Sequence, residues 1–364
     1  MLAARLHGKR DLRVEDVPRP SVGPDEVLLR VRSASICGTD IRMFENGRGK
    51  GPNLPPLILG HEMSGQIAAV GSGLQAAMNR GFETSKGGSV FREGMRVAVA
   101  PNTGCGVCDL CVSGNTHLCP DYTALGIHID GGFAEYARIP AGFVRQGNVV
   151  EIAEAVSFEE AALAEPLSCV YSAFERSGLR PGEAVLVIGA GPIGLMHAKL
   201  ARLGGASKVM VNDLDQARLS QCRRIDASFI TLGGQNLKEQ VHDLTRGRGA
   251  DVCIVACASP AAQEESIELA AVNGRVIFFG GLPADSPPVR IDSNRIHYRQ
   301  LTVTGTTRAS IAQYRKALEL VANRLIELKD LISTVCSIRQ CPQAIENAAK
   351  GTGLKTVIRF GDDA

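Results

Sequence analysis

The sequence contains no tryptophan, and only 4% of its residues are aromatic, so a binding pocket walled by aromatic rings is not expected. It has no block of lysines or arginines, and its formal net charge is only +2, which argues against nucleic-acid and membrane-surface partners. No apolar run approaches the roughly 18 residues of a membrane span, and charges interrupt the first residues too early for a secretion signal. We therefore expect a soluble, cytoplasmic protein.

The sequence has eleven cysteines, and in a cytoplasmic protein they are thiols or metal ligands rather than disulfides. Four of them lie close together in one loop rich in glycine, asparagine and aspartate: Cys105, Cys108, Cys111 and Cys119. The alternative, four free buried thiols, does not account for the repeated C-x-x-C spacing. Four thiolates on one loop predict a tetrahedral zinc, and because no ligand position is left for water, that zinc is structural.

The chain of 364 residues with 45% hydrophobic content is long enough for two domains. Residues 1–158 consist of short strands between glycines and prolines, which predicts a mostly β domain. From residue 159 strands alternate with helices, which predicts an α/β domain with a doubly wound parallel sheet. Its predicted strands are 185–188, 208–212, 228–231, 251–255 and 274–279.

The stretch AVLVIGAGPIG, residues 184–194, has a strand-like apolar run followed by glycines at G-x-G-x-x-G spacing. Gly189 would permit a tight turn, Gly191 a close approach to a pyrophosphate, and Gly194 close packing of helix on strand. Pro192 and Ile193 complete the turn into the helix, whose N-terminus would face the phosphates. The stretch predicts a dinucleotide site.

An acidic residue, Asp213, ends the next predicted strand, about 20 residues beyond the glycines. At this distance a carboxylate accepts hydrogen bonds from the adenosine ribose and repels a ribose phosphate, so the sequence favours NAD over NADP. Arg218 argues the other way, because an arginine beside the ribose accepts a phosphate. The alternative is an ordinary βαβ unit with an acid in its loop.

A second set of metal-ligand residues is spread along the chain: Cys37, His61, Glu62 and Glu165. Taken singly, such a histidine is more often structural and such a cysteine more often a small core residue. Together they supply one thiolate, one imidazole and two carboxylates. That set suits a catalytic zinc with an open position.

Several motifs together resemble the medium-chain, zinc-dependent alcohol dehydrogenases, and the resemblance covers nearly the whole chain. It is closest to the sorbitol (L-iditol), threonine and butanediol dehydrogenase branch, where the position of Glu165 is a glutamate rather than a cysteine. The motifs are ICGTD at 36–40, LGHE at 59–62, the four-cysteine loop, GGFAEY at 131–136, EPL at 165–167 and the glycines at 189–194.

The resemblance implies a GroES-like β domain, residues 1–158 joined by 305–364, that encloses a Rossmann NAD-binding domain over 159–304. It implies that Cys37 and His61 bind a catalytic zinc. Glu62 and Glu165 would bind it directly or through water and would exchange; which of the two binds at rest is left open. The family is usually dimeric or tetrameric, so a homo-oligomer is expected.

Two further residues receive roles from the resemblance. Thr39 matches the hydroxyl that passes the alcohol proton outward, although a turn or cap role is the alternative. Arg42 stands where the family often has a histidine, and an arginine cannot shuttle protons readily, so the relay is expected to differ here. Arg308 matches an arginine that reaches polyol hydroxyls, with a solvent-facing helix start as the alternative.

These expectations together describe a dehydrogenase with two zinc ions per chain that moves hydride between NAD and a secondary alcohol of a polyol or sugar alcohol. Threonine 3-dehydrogenase and butanediol dehydrogenase are alternatives with the same chemistry. A catalytically silent dinucleotide-binding protein is the alternative outside the enzymes. Residues 75–89 form an insertion relative to the family, interpreted as surface loop variation, with narrowing of the substrate entrance or a subunit contact as the other hypothesis.

Overall fold

The computed structural model describes residues 1–47, 56–74 and 91–361, so the insertion predicted over 75–89 lies outside the described residues. Two compact units form: Met1–Pro166 together with Ser310–Ala364, and Leu167–Ala309. No helix in the described ranges is both long enough and apolar enough to cross a bilayer.

The first unit is built on β-sheets. Its strands are β1 (Leu2–Gly8), β2 (Asp11–Asp16), β3 (Val27–Ser35), β4 (Leu57–Ile58), β5 (Glu62–Val70), β6 (Arg96–Val99), β7 (Asn102–Thr103), β8 (Thr123–Ala124), β9 (Tyr136–Ile139), β10 (Val149–Glu151), β17 (Ile332–Ser337) and β18 (Lys355–Arg359). The largest sheet has the order β10-β6-β5-β3-β18-β17, with β9 paired to β3. Its apolar faces pack with β1, β2 and β4 around a core that includes Phe44, Met63 and Phe133.

Helices of the first unit connect and cover these strands. They are α1 (Gly38–Asn46), α2 (Asp109–Val112), α3 (Ala141–Arg145), α4 (Phe158–Ala162), the start of α5 (Ala164–Ser177), α11 (Ile311–Ala322) and α12 (Cys341–Ala349). Helix α11 begins at a capping box, in which the Ser310 hydroxyl accepts the Gln313 N–H and the Gln313 side chain accepts the Ser310 N–H. Such a box satisfies two backbone donors of the first turn and fixes where the helix starts.

One register brings three distant segments together at the end of β3. Ser35 pairs with Glu62 on β5 on one side and with Val357 on β18 on the other. The chain then leaves the sheet through Ile36 and Cys37 into α1. Because paired residues of neighbouring strands lie side by side, Cys37, Glu62 and the start of β18 lie close to one another.

The second unit is a parallel sheet with helices. Its strands are β11 (Ala184–Ile188), β12 (Lys208–Asn212), β13 (Ile230–Leu232), β14 (Ala250–Val255), β15 (Ala270–Phe278) and β16 (Thr302–Gly305), and its helices are α5, α6 (Pro192–Leu203), α7 (Gln216–Ile225), α8 (Leu237–Leu244), α9 (Pro260–Leu269) and α10 (Ser293–Tyr298). The strand order is β13-β12-β11-β14-β15-β16, and every neighbouring pair is parallel. The predicted doubly wound parallel sheet is confirmed.

The strand order also locates a binding edge. From β11 the chain adds β12 and β13 on one side of the sheet and then β14, β15 and β16 on the other. The direction in which strands are added therefore reverses beside β11. In open α/β sheets ligands bind at the carboxyl ends of the strands at such a point. The glycine-rich turn follows β11 directly.

The sequence analysis placed strand β13 one or two residues too early and did not predict β17.

Candidate metal centres and dinucleotide site

Three of the four residues predicted to hold a catalytic zinc lie together. Cys37 precedes the first turn of α1, and Glu62 is the first residue of β5, directly after His61. One ligand atom from each of the three lies within 4.8 Å of the other two. Ligands of one zinc are separated by about 3.3–3.8 Å, given zinc–ligand distances of about 2.0–2.3 Å. Thiolate, imidazole and carboxylate are zinc donors, so this trio fits the ion.

Asp40 supports the trio, a role that the sequence analysis did not assign. The side chain is fully buried; its Oδ2 accepts the Cys37 N–H at 2.8 Å and its Oδ1 accepts the Gly60 N–H at 3.3 Å. Oδ1 also lies 3.4 Å from His61 Nδ1. Burial lowers the pKa of His61, but the Asp40 carboxylate and Cys37 more than offset it, and the net pKa is well above the usual range. The pocket therefore attracts positive charge. A carboxylate behind a metal-bound histidine orients its ring.

Lys355 is a second residue that the sequence analysis missed. Its Nζ donates to both carboxylate oxygens of Glu62, at 2.9 Å and 2.6 Å, and to the Ile36 carbonyl at 2.9 Å. Lys355 and Glu62 are both buried. Burial acts to lower the pKa of Lys355, yet the charge of Glu62 raises it overall, which keeps the ammonium charged. Lys355 thus joins β18, β5 and the residue before Cys37 around one positive charge.

Glu165, the fourth predicted ligand, is not part of this trio. It lies in the first turn of α5 and is 7% exposed. Thr39, predicted to pass the alcohol proton, lies in the first turn of α1, where its Oγ1 accepts a hydrogen bond of 2.9 Å from Arg42. An arginine donates but does not accept. Arg42 therefore orients the threonine hydroxyl and offers no onward path for a proton.

The four cysteines of the loop also come together. Cys105 Sγ lies 3.9 Å from Cys111 Sγ, and Cys108 Sγ lies 3.8 Å from Cys119 Sγ. The edge of a tetrahedron of sulfurs around zinc is about 3.8 Å, given a Zn–S distance of about 2.3 Å. The Val107 and Cys108 N–H groups lower the pKa of Cys105 to about 7. This quartet fits a closed, structural zinc.

The glycine-rich turn has the backbone that a dinucleotide needs. Gly189 has a φ of +111°, and a Cβ on Gly194 would lie 1.7 Å from the Gly189 carbonyl oxygen, so both positions require glycine. A Cβ on Gly191 would meet nothing within 4 Å, which leaves open space over the turn. Gly191 caps α6, and Pro192 and Ile193 are its first residues, so the N-terminus of α6, whose first backbone N–H groups have no partner within the helix, lies at this turn.

Asp213 lies beside the same turn. Its Oδ2 accepts the Ala190 N–H at 2.7 Å, and its Oδ1 accepts the Asp215 N–H at 2.9 Å. Arg218 Nη1 lies 3.8 Å from Asp213 Oδ2. The carboxylate is therefore fixed against the glycine loop, with one arginine within reach of it. Arg308, which was predicted to contact the substrate, belongs to the second unit, Leu167–Ala309, and its backbone has a left-handed φ of +57°.

Two family models match the chain: the alcohol dehydrogenase GroES-like domain over residues 23–151 and the zinc-binding dehydrogenase domain over residues 192–323. A sorbitol dehydrogenase of Bacillus subtilis (strain 168) is 33% identical, and the match covers 98% of this chain and 97% of that protein. The chain belongs to the zinc-binding alcohol dehydrogenase family. The GroES-like fold and the family predicted from the sequence are confirmed.

Other members of this zinc-binding alcohol dehydrogenase family show how wide the similarity is. An L-threonine 3-dehydrogenase of Bacillus licheniformis is 31% identical, with 96% of each chain covered. The crystal structure of a zinc-binding dehydrogenase from Sinorhizobium meliloti 1021 bound to NADP is 30% identical and has a TM-score of 0.86, with 99% of each chain covered. The protein is therefore an oxidoreductase of the alcohol dehydrogenase type.

Proposed function

We propose that this enzyme oxidises a secondary alcohol of a polyol or sugar alcohol to the ketone, with NAD as hydride acceptor, as a cytoplasmic dimer or tetramer. The observation that carries the proposal is the trio of Cys37, which is partly buried, and His61 and Glu62, which are buried; their ligand atoms lie within 4.8 Å of one another. The similarity to a sorbitol dehydrogenase over 98% of the chain supports the polyol class.

Two zinc ions would be held by different sets of residues. Cys37, His61 and a carboxylate, Glu62 or Glu165, would hold the first, and the cysteine quartet the second. When bound, the first zinc would supply a Lewis acid that makes an alcohol more acidic, and NAD would take the hydride. The reaction is balanced when the alcohol loses one hydride to NAD and one proton to the protein or water.

Residues next to the proposed metal ligands position those ligands and accept the proton that the alcohol loses. Asp40 holds the Cys37 backbone and faces the His61 ring, so both ligands are set before substrate arrives. Thr39 can accept a proton on its oxygen and donate its own, while Arg42 occupies one of its lone pairs. The proton would then leave through water or the cofactor ribose rather than along α1. Arg308 is proposed to contact substrate hydroxyls.

NAD is proposed as the cofactor because Asp213 is fixed beside the glycine turn through hydrogen bonds to Ala190 and Asp215. Its negative charge would repel a 2′-phosphate and accept the ribose hydroxyl groups. The similar Sinorhizobium meliloti structure holds NADP. In this chain the Arg218 guanidinium lies 3.8 Å from the Asp213 carboxylate. This cation would favour a 2′-phosphate.

The test is formation of NADH from NAD, or of NADPH from NADP, by the purified full chain with a panel of polyols, L-threonine and butanediol. We expect turnover of at least one polyol with NAD. Turnover of threonine alone would favour the second candidate, L-threonine 3-dehydrogenase, which the 31% identity to that enzyme supports. Butanediol alone would favour butanediol dehydrogenase.

Metal analysis separates an enzyme from a silent dinucleotide-binding protein. We expect two zinc ions per chain in the parent and one in Cys37→Ser, with activity lost. Equal zinc content in parent and variant, or unchanged activity of the variant, would refute the proposed catalytic centre.

A further inference from the structure

Gln146 holds the backbone just before the cysteine quartet. It follows the last residue of α3, and its side chain is half-buried. Gln146 Nε2 donates to the Gly104 carbonyl at 2.7 Å, and its Oε1 accepts the Gly104 N–H at 3.2 Å. Because one planar amide makes both bonds, it fixes the direction of this backbone as well as its position. Gly104 directly precedes Cys105, the first cysteine of the quartet.

Gly104 lies between this glutamine and the thiols. A Cβ at Gly104 would lie 2.5 Å from Cys111 Sγ and 3.1 Å from Cys119 Cβ. Glycine allows the backbone to approach these cysteines this closely, and any other residue would collide with them. The backbone that Gln146 holds is therefore packed directly against two of the four predicted zinc ligands.

The peptide group between Gly104 and Cys105 connects the glutamine to a ligand sulfur. In a trans peptide the C=O and N–H bonds point in opposite directions. The carbonyl of this peptide accepts the hydrogen bond from Gln146, and its N–H donates to Cys119 Sγ at 3.3 Å. By holding the carbonyl, Gln146 therefore directs the N–H of the same peptide towards Cys119.

A hydrogen bond to the Cys119 sulfur favours zinc binding. Four thiolates around one Zn²⁺ leave an excess of negative charge on the sulfurs. A hydrogen bond donated to an ionisable group stabilises its charged form, which for a cysteine is the thiolate that binds metal. Hydrogen bonds of this kind behind the ligands also orient them.

The segment that carries Gln146 is itself held at two points. Gly147 has a φ of +79°, and its carbonyl accepts a hydrogen bond of 3.0 Å from Arg315 Nη2 on α11. Asn148 Nδ2 donates to the Ala100 carbonyl at 2.8 Å. The amide of Gln146 therefore extends from a fixed backbone, and its two bonds to the cysteine loop are set by the fold of the first unit.

We propose that Gln146 is a positioning residue for the zinc of the cysteine quartet, because its amide orients the peptide before Cys105 so that the N–H donates to the Cys119 thiolate. This inference rests on the proposed function, since it takes zinc to be bound at the quartet. Gln146 acts through this peptide and is not a ligand.

The test compares Gln146→Met with unchanged Gln146, both in a Cys37→Ser background so that the quartet is the zinc centre that is measured. Methionine keeps the length of the side chain and removes both bonds to Gly104. We expect zinc affinity, measured by chelator competition, to fall about 10–100-fold, the usual effect of losing a supporting hydrogen bond.

The cobalt-substituted proteins provide a second readout that reports on the sulfurs themselves. A sulfur that loses a hydrogen bond gives up electron density more readily. In Gln146→Met the sulfur-to-cobalt charge-transfer band should therefore move to longer wavelength. A general loss of stability would not cause this shift.

Gln240→Met is the matched control. Gln240 lies on α8 in the second unit, and its Nε2 likewise donates to a glycine carbonyl, that of Gly233, at 3.1 Å. Its replacement should leave zinc affinity and the cobalt band unchanged. A second variant, Gln146→Glu, keeps the size of the side chain and an acceptor for the Gly104 N–H but has no donor for the carbonyl near neutral pH. It should lower zinc affinity as well.

Parental zinc affinity and an unshifted cobalt band in Gln146→Met would overturn the inference, as would an equal shift in Gln240→Met. Parental affinity in Gln146→Glu would overturn it too, because the bond to the carbonyl would then be dispensable. Failure of the proposed structural zinc gives a different result: Cys111→Ser would bind as much zinc as the chain with Cys111. If Cys111→Ser loses one zinc and Gln146→Met binds normally, only the role of Gln146 is wrong.

Discussion

A buried histidine in the second unit should make the enzyme sensitive to acid. His197 lies on α6, is 1% exposed, and packs edge-on against Phe279, with ring centroids 4.7 Å apart. Its Nε2 has no hydrogen-bond partner among the described residues. Burial lowers the pKa of His197 to about 3. The folded protein therefore keeps this side chain neutral at pH values where an exposed histidine is protonated.

The direction and size of the effect follow from the two pKa values. The unfolded chain, with a histidine pKa of about 6.5, takes up a proton between about pH 6.5 and 3, whereas the folded protein does not. Above about pH 6.5 this histidine does not reduce the free energy of unfolding. As the pH falls through this range, the free energy of unfolding decreases, because only the unfolded chain gains the proton. At about 1.4 kcal/mol per pH unit the loss is about 2 kcal/mol at pH 5 and approaches about 5 kcal/mol near pH 3.

The perturbation is His197→Leu, which keeps an apolar side chain of similar size and removes the titrating group. Urea unfolding followed by circular dichroism at about pH 7.5 and about pH 5 should show that the variant loses about 2 kcal/mol less than the parent between the two. At the higher pH the variant should be at least as stable as the parent, because the unpaired Nε2 is gone. Zinc loss in acid affects both proteins and cancels in the comparison.

His242→Gln is the matched control. His242 lies on α8 in the same unit and is only partly buried, so its replacement removes one histidine while the buried ring of His197 is kept. If His197→Leu and the parent lost the same stability between the two pH values, burial of His197 would not be a source of acid sensitivity.

Four further predictions test the two metal centres and the dinucleotide site. Lys355→Met leaves the Glu62 carboxylate buried without its cation and should lower the free energy of unfolding by about 3–5 kcal/mol; unchanged urea unfolding would contradict this. Gly194→Ala places a Cβ 1.7 Å from a backbone oxygen and should abolish NADH binding measured by fluorescence titration; normal affinity would refute the close packing. Asp213→Ser should raise the preference for NADP over NAD at least about tenfold, in kcat/KM, because it removes the charge that repels a phosphate; an unchanged ratio would contradict it. Cys111→Ser should lower the zinc content to one ion per chain and the Tm with it, while equal zinc content would exclude a structural ion at the quartet.

The parts of the molecule that sequence analysis predicted are those with local signals. The strand β11 is apolar throughout and buried on both faces, and the glycines after it stand at a spacing that a turn into a helix requires. The cysteine quartet lies within 15 residues of one loop, so its assembly needed no knowledge of the rest of the fold. These patterns depend on neighbours in sequence, and a single sequence contains them in full.

Lys355 could not be predicted in the same way. In sequence it is the first residue of a short strand near the end of the chain, where a lysine is normally exposed. Its contact with Glu62, 293 residues away, follows from the pairing of β3 with both β5 and β18. Strand register between distant segments is set by packing of the whole sheet.

The contact with Lys355 also bears on what Glu62 would contribute to a metal centre. A carboxylate whose two oxygens are bonded to a buried ammonium donates less negative charge to a neighbouring ion than a carboxylate without a counter-charge, because attraction between charges is strong in a buried site. With Glu62 partly neutralised, Cys37 would be the main anionic ligand of the trio, and an ion held there would keep most of its positive charge. A more positive ion acidifies an alcohol more strongly. Lys355, which contacts neither substrate nor cofactor in this account, would therefore favour alcohol oxidation near neutral pH through Glu62.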